Sequence, residues 1–416
     1  AVAADCLAGV LAEMRSASAG TSVGAGVGAA AVLAGAVALV WHNWRQWRRE
    51  TALLAASAPA AGTQAFSHAT WPRLPRVSAL VAAWNERGTI DEHIRSFLTL
   101  SYGEKELVLC AGGEDGTYRM AQRWAGPGVK VLEQLPGEGK QAALQRCLAE
   151  ATGEVIVLSD ADCVFTDEAW NRLLEPLARG IAQVVTGVSE PRADQRDRPL
   201  VRYQWYGDVY WAHRMPETVD GVLGRNCALL RPVLHDVGGF EAPAATGTDY
   251  VLSRLLEEAG YTIVTAPGSR IATEYPESPG AYLAMWRRWN KNLVLQGLRF
   301  GAWRHVRGLL AAGAVYGLVV VMLASSAVLG TAGLGGSLLV FGAAAANRLR
   351  RYALGAQLVR MEMALAGGEE EVRASRLPFG LEGHAILRGV AYTALDMLAV
   401  LLALYDSLDP KRRRRW

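Results

Sequence analysis

One run constrains the chain more than any other: Glu154-Val155-Ile156-Val157-Leu158-Ser159-Asp160-Ala161-Asp162. An apolar, β-branched stretch ends abruptly in two carboxylates one residue apart. Such a run predicts a buried strand, and in an open α/β sheet ligands collect beyond the carboxyl ends of the strands. Asp160 and Asp162 would then present two hard oxygen ligands at a crevice. That chemistry suits Mg²⁺ or Mn²⁺ carrying phosphate oxygens.

The neighbouring sequence repeats the pattern. Arg76 to Ala83 predicts a strand leading to Trp84-Asn85-Glu86-Arg87 and a helix from Thr89. Glu106 to Cys110 predicts a second strand, running into Ala111-Gly112-Gly113-Glu114-Asp115-Gly116-Thr117. After a further helix, Val129 to Leu132 predicts a short strand. Gly137-Glu138-Gly139-Lys140 opens a helix through Ala151. Strands alternating with helices at this spacing imply a mostly parallel sheet covered on both faces.

Beyond Asp162, Ala182 to Val188 predicts a strand and Leu200 to His213 an aromatic-rich helix. Residues 220–240, with Gly221, Gly224, Gly238 and Gly239, read as a loop-rich surface. Thr248-Asp249 begin a helix, Tyr261 to Thr265 is a short strand, and Tyr282 to Phe300 is a helix dense in Trp and Arg.

The flanks predict a membrane. From Thr21 to Trp41 no charge occurs for about 20 residues, enough to cross a ~30 Å hydrocarbon core. Trp41, Trp44 and Trp47 then alternate with Arg45, Arg48 and Arg49, which fits a cytoplasmic flank after a signal anchor. Residues 308–346 carry no charge and have room for two crossings joined near 330–336. Residues 389–405 form a third apolar stretch, interrupted by Asp396, an acid expected to face protein and to pair with Arg388. This stretch is expected to span incompletely or to lie inside. The domains expected are an anchor region (1–50), a linker (51–71), a cytoplasmic domain (72–303), and a C-terminal membrane region with a basic tail (304–416).

A formal net charge of +3 is too small to argue for nucleic acid. Its distribution, basic runs beside apolar stretches, points to a membrane surface. Five scattered cysteines with no Cys-x-x-Cys exclude a disulfide framework and a zinc knuckle, and fit a reducing compartment.

Taken singly, each polar feature has an ordinary explanation. Asp160 and Asp162 could cap a helix, Asp115 could sit in a turn, and Lys140 could be solvated. Asp249 could be an N-cap, and Arg288-Trp289 an interfacial anchor. Their order is what is specific. Trp84-Asn85-Glu86, Asp115-Gly116-Thr117, Gly139-Lys140, Asp160-Ala161-Asp162, Gly238-Gly239-Phe240, Thr248-Asp249 and Arg288-Trp289 follow one another over residues 75–300. In that set the chain resembles the membrane-bound family 2 glycosyltransferases, which share a GT-A-type nucleotide-sugar domain. Four positions depart from the family pattern. Cys110-Ala111-Gly112-Gly113 replaces Asp-Asp-Gly-Ser, and Trp84 replaces Tyr. Thr248 stands where Glu precedes the later Asp, and Met285 stands at the Gln of Gln-x-x-Arg-Trp.

The resemblance implies a GT-A-type mostly parallel sheet with one N-terminal and two to three C-terminal membrane helices, in a multi-pass cell-membrane protein. It implies a nucleotide-sugar donor, expected as a UDP-sugar, with Mg or Mn. Asn85, Glu86, Asp115, Lys140, Asp160, Arg288 and Trp289 would bind the donor, and Asp160 and Asp162 the metal. Asp249 would be the general base, and Gly238, Gly239, Phe240 and Trp289 would shape the acceptor site. The expected reaction is inverting transfer to a lipid-linked acceptor, with processive polysaccharide synthesis as the alternative and homo-oligomer formation left open. Two other readings compete. Val157 to Val164 also fits an Asp-nucleophile phosphatase, although the later acidic pair it requires is incomplete at Gly207-Asp208. Cys110-Ala111 would suit a non-enzymatic receptor on a degenerate nucleotide fold.

Overall fold

Three long strands are apolar on both faces, as strands covered by helices on either side must be. The computed structural model describes residues 37–38, 41–52, 71–242, 246–329, 331–365 and 384–409. β1 (Val77–Trp84), β2 (Lys105–Gly112), β3 (Val129–Glu133) and β4 (Val155–Asp160) fall where the sequence places them. β5 is Val184–Pro191, β6 Thr218–Val219, β7 Cys227–Leu230 and β8 Ile263–Thr273. They form one eight-stranded sheet in the order β3-β2-β1-β4-β7-β5-β8-β6. β3, β2, β1 and β4 run parallel, as do β5 and β8, whereas β7 and β6 are antiparallel to their neighbours.

The two-residue period of the strands divides the core. Val77, Ala79, Val81, Leu107, Leu109, Val155 and Val157 face one side. There they meet α1 (Ile90–Thr99) through Ile94 and Phe97, and α4 (Asp167–Ala178) through Trp170, Leu173 and Leu174; α2 (Thr117–Gln122) closes the β2 end. Leu80, Val108, Cys110, Ile156 and Leu158 face the other side. They meet α3 (Gly139–Glu150), α6 (Arg231–Asp236) and α7 (Thr248–Glu258), while α5 (Pro199–His213) follows β5. Local chemistry sets the helix starts. Thr166 caps α4, its hydroxyl accepting from the Ala169 N–H at 3.2 Å, with Asp167 and Glu168 in the first turn. Ser278 caps α8 (Pro279–Arg299) the same way, with Pro279 at its first position.

Residues 220–240 differ from expectation. They hold β7 and α6, and Cys227, Ala228 and Leu229 are fully buried between β4 and β5. A four-residue strand between Gly224 and Pro232 is too short to stand out among turn residues. The strand expected at Tyr261 to Thr265 is longer, because β8 continues through Pro267 and Gly268 past a register shift against β5.

Toward the C-terminus lie α9 (Trp303–Leu329), α10 (Thr331–Leu365) and α11 (Ala385–Leu408). Among the described residues, Trp303–Ser326 and Ala385–Leu408 are long and apolar enough to cross a membrane. The second crossing expected within 308–346 falls on the first half of α10, which continues unbroken through Arg348, Arg350 and Arg351 and is not one of these two helices. Most of the expected anchor at Thr21 to Trp41, most of the linker and the basic tail lie outside the described residues. Contacts divide the chain into two compact units, Ala1–Ala58 with Ala311–Arg350 and Pro59–Leu310 with Arg351–Trp416. In the first, small residues let helices approach: Gly336 sits against Met322, and the Ser337 hydroxyl donates to Val319 O at 3.1 Å.

Asp396 does not pair with Arg388. Its carboxylate accepts hydrogen bonds from the hydroxyls of Tyr203 (2.9 Å) and Tyr282. Eight residues along a helix separate Asp396 from Arg388 by about 12 Å, so the acid reaches α5 and α8 instead. Asp406, two to three turns further on, binds Arg287 of α8 with both oxygens, at 2.6 and 2.8 Å.

Trp170 is 2% exposed, with Phe97, Tyr102 and Phe165 edge-on around it. Trp170→Ala should cost about 3–5 kcal/mol, seen as a lowered denaturant midpoint at unchanged slope for the detergent-solubilised chain.

Candidate active site

The parallel register brings three strand ends to one edge. Trp84 pairs with Gly112, and Ala82 with both Cys110 and Asp160. The residues that follow β1, β2 and β4 therefore emerge side by side. Asn85 adopts φ 60°, and its amide oxygen accepts from the Glu114 N–H at 2.8 Å. A side chain at Gly113 would collide with that amide, so the close approach needs glycine there. Asp115 takes the Thr117 N–H and hydroxyl on one oxygen (2.9 and 2.6 Å) and the Arg87 N–H on the other (3.0 Å). The Glu86 N–H in turn donates to the Thr117 hydroxyl at 2.7 Å. Asn85, Glu86 and Asp115 are thus one hydrogen-bonded group.

The two acids of the doublet have different partners. Lys140 Nζ lies 2.5 Å from Asp160 Oδ1, and Arg225 Nε lies 4.0 Å from Oδ2. Burial opposes ionisation of Asp160, but Lys140 and Arg225 hold its carboxyl below the usual range. Asp162 accepts from the Thr273 hydroxyl of β8 at 2.8 Å. Burial, and after it the charge of Asp162, pushes the Glu86 carboxyl up to about 7; Asp160 and Glu274 add to the effect.

A cavity of about 580 Å³ opens beside Asp160. Lys140, Asp160, Asp249, Arg288 and Trp289 line it, five predicted residues carried on α3, β4, α7 and α8. Asp249 stands in the first turn of α7, where Gly224 packs directly on its Cβ. Asn85, Glu86, Asp115 and Asp162 lie outside this lining, at the sheet edge. Gly238 and Gly239 are the left-handed turn after α6, and Phe240 is 3% exposed in the core, so this loop is not brought to the cavity. Arg225, Asp220, Tyr250 and His305 line the cavity and belong to no motif. Arg225 lies over the Trp289 ring at 5.7 Å, and His305 joins Tyr250 Oη (2.8 Å) to Asp220 (2.9 Å). The tautomer protonated on Nε2 satisfies both bonds, with the Tyr250 hydroxyl donating to Nδ1. In sequence Asp220 and Arg225 flank the glycines at 221 and 224 and Tyr250 follows Asp249, whereas His305 carries no such signal.

Among the described residues, no three His, Cys, Asp or Glu side chains converge on one point. The protein alone therefore offers a cation one or two carboxylates, and phosphate oxygens and water must supply the rest, the habit of Mg²⁺ and Mn²⁺. After burial, the charges of Asp162, Asp160 and Glu274 oppose ionisation of Glu86, so a cation bound at the doublet would favour its carboxylate form.

Residues 78–238 match glycosyl transferase family 2. The chain carries a family 2 glycosyltransferase domain. EpsE of Bacillus subtilis (strain 168) is 35% identical over 92 residues, 21% of this chain and 33% of EpsE. The poly-β-1,6-N-acetyl-D-glucosamine synthase of Staphylococcus epidermidis is 25% identical over 222 residues, 51% of this chain and 53% of the synthase. The chain thus spans about half the length, or less, of these curated relatives. Among solved structures, the mannosyltransferase PcManGT from Pyrobaculum calidifontis, in complex with GDP-Man and Mn²⁺, is similar at TM-score 0.49 and 19% identity, over 91% of this chain and 99% of that one. The match to the glycosyltransferase family leaves the phosphatase and receptor readings without support. The family 2 match includes Lys140 and Asp160, whereas Asp249, Arg288 and Trp289 lie beyond it.

Two outcomes follow. A Cβ at Gly224 would sit 2.8 Å from that of Asp249, so Gly224→Ala must displace the acid. Displacement of that order costs about 10²-fold in turnover, measurable against an unchanged melting temperature. The metal-free protein should also lose stability as pH rises from 4.5 toward 7, since folded Glu86 keeps a proton that the unfolded chain gives up. Melting followed between pH 5 and 8 should show a shallower decline for Glu86→Gln.

Proposed function

We propose that the chain transfers a sugar from a nucleotide-diphosphate donor to a hydroxyl acceptor at a membrane face, with inversion and with a divalent cation. One observation carries this reading: Lys140, Asp160, Asp249, Arg288 and Trp289, far apart in sequence, wall a single cavity beside the sheet edge. The Asn85, Glu86 and Asp115 group takes the nucleoside side of the donor. Lys140 and Arg288 give the diphosphate two cationic contacts from different elements. Asp162, with Asp160, would hold Mg or Mn, which when bound supplies positive charge to the departing diphosphate.

Asp249 accepts the proton of the acceptor hydroxyl. That oxygen forms its bond to the anomeric carbon as the bond to the diphosphate oxygen breaks, through an oxocarbenium-like state. A single base facing the leaving group across the sugar gives inversion. Trp289, one-third exposed in the cavity wall, offers an aromatic face to a sugar ring.

The acceptor is lipid-linked on this reading, because His305 of the cavity wall belongs to the first turn of α9, one of the two helices apolar enough to cross a membrane. Polysaccharide synthesis is the second reading, favoured by the similarity to the poly-β-1,6-N-acetyl-D-glucosamine synthase. Membranes incubated with radiolabelled UDP- and GDP-sugars separate the two: label in the organic extract supports the lipid acceptor, label in insoluble polymer the synthase. Asp249→Asn should lower transfer by about 10²–10⁴-fold while nucleotide binding persists. Unchanged turnover would remove Asp249 from this role.

A further inference from the structure

Arg225 belongs to none of the motifs, yet it reaches Asp160, Thr273 and Trp289. It sits in the segment between β6 and β7, its side chain 17% exposed. Its Nε faces Asp160 Oδ2 at 4.0 Å, and its Nη1 donates to the Thr273 hydroxyl at 3.4 Å. That hydroxyl donates to Asp162 at 2.8 Å. The guanidinium also lies over the Trp289 ring, 5.7 Å from its centre, which restricts the plane of the fork. One cation is thereby linked to both acids of the doublet and to the aromatic wall of the cavity.

Asp160 consequently has a cation at each oxygen, Lys140 at Oδ1 and Arg225 near Oδ2. A metal ion arriving alone must compete with both for those oxygens and meets their like charge. A nucleotide diphosphate arriving alone must draw the same two cations away from Asp160. When both arrive, the exchange balances: Lys140 and Arg225 turn to phosphate oxygens, and Asp160 is released to the metal. A planar guanidinium suits this because it can meet phosphate with two parallel N–H donors.

Resting on the glycosyltransferase reading above, we infer that Arg225 is a donor-diphosphate residue held in waiting by Asp160, and that this exchange makes metal and nucleotide binding interdependent. Coupling between bound ligands is reciprocal, so each must tighten the other by the same factor, typically about 5–150-fold.

The test uses the full-length protein in detergent, with Mn²⁺ followed by electron paramagnetic resonance and UDP or GDP by calorimetry. Wild type should bind Mn²⁺ weakly alone and about tenfold or more tightly with the preferred nucleotide. Arg225→Gln should bind Mn²⁺ alone several-fold more tightly, bind nucleotide about tenfold more weakly at saturating Mn²⁺, and show a reduced coupling factor. Arg225→Lys keeps the charge but loses the fork and the stacking. It should leave Mn²⁺ affinity as in wild type while losing part of the nucleotide affinity. If wild type binds nucleotide with Mn²⁺ but both variants match it within about twofold, Arg225 only packs and the inference is overturned. If wild type binds neither UDP nor GDP in the presence of Mn²⁺, the glycosyltransfer reading fails along with it. Matched melting temperatures show that any change arises in the site rather than from unfolding.

Discussion

The site depends on the parallel register of β1, β2 and β4. β1 and β2 end level, Trp84 against Gly112, and β4 ends two residues earlier, Asp160 against Ala82, so three unrelated loops begin close together at one end of the sheet. A slip of one residue would turn Asp160 toward the opposite face and bury a carboxylate in the core. The alternation that prevents this is dense, with Val155 and Val157 facing one core and Ile156 and Leu158 the other. Packing energy on both faces therefore fixes where two carboxylates and a cluster of hydrogen-bonded turns can stand. The acids themselves contribute charge that only Lys140, Arg225 or a ligand can offset.

The second constraint comes from α8. One side of this helix gives the cavity Arg288, Trp289 and Asn292. Another side is tied to α11, through Tyr282 with Asp396 and through Arg287 with Asp406. Asp396 and Asp406 are each 5% exposed, and removing Asp396 would strand the buried hydroxyls of Tyr203 and Tyr282 at a cost of roughly 1–3 kcal/mol. These acids on an otherwise apolar helix thus dock α11 against the element that supplies Arg288 and Trp289 to the cavity wall. Neither acid lines the cavity, so each acts on the site through α8.

Much of this was legible in the chain itself. Strands such as Val155–Asp160 are long, β-branched and bounded by turns, so their period and position are plain, and Lys140 and Asp249 follow from ordered spacing. The misses have one physical origin: contacts between residues distant in sequence. β7 escapes notice because four residues carry too little pattern to separate strand from loop, and what makes it a strand is the slot between β4 and β5. Asp396 was assigned Arg388 as a neighbour in sequence, whereas two tyrosines nearly 200 and just over 110 residues away claim it. Arg225 and His305 sit in no recurring pattern, and only the folded sheet brings them to Asp160 and Asp249. The Gly238–Phe240 turn misleads in the opposite sense. Its glycines suggest a ligand surface, but the positive φ angles serve the exit from α6, and Phe240 turns inward.

The first turn of α9 belongs to the same compact unit as the cavity. α9 begins at Trp303, which is 61% exposed, and its first turn places Arg304 against Asp220 and Glu257, and His305 between Tyr250 and Asp220. Asp220 and Tyr250 line the cavity, and Tyr250 directly follows Asp249. The backbone at this start is already paired, Trp303 N–H with Gly301 O at 2.8 Å and His305 N–H with Ala302 O at 3.0 Å. The side-chain contacts come in addition, and they tie the first turn of α9 to Asp220 and to α7, the helix that carries Asp249.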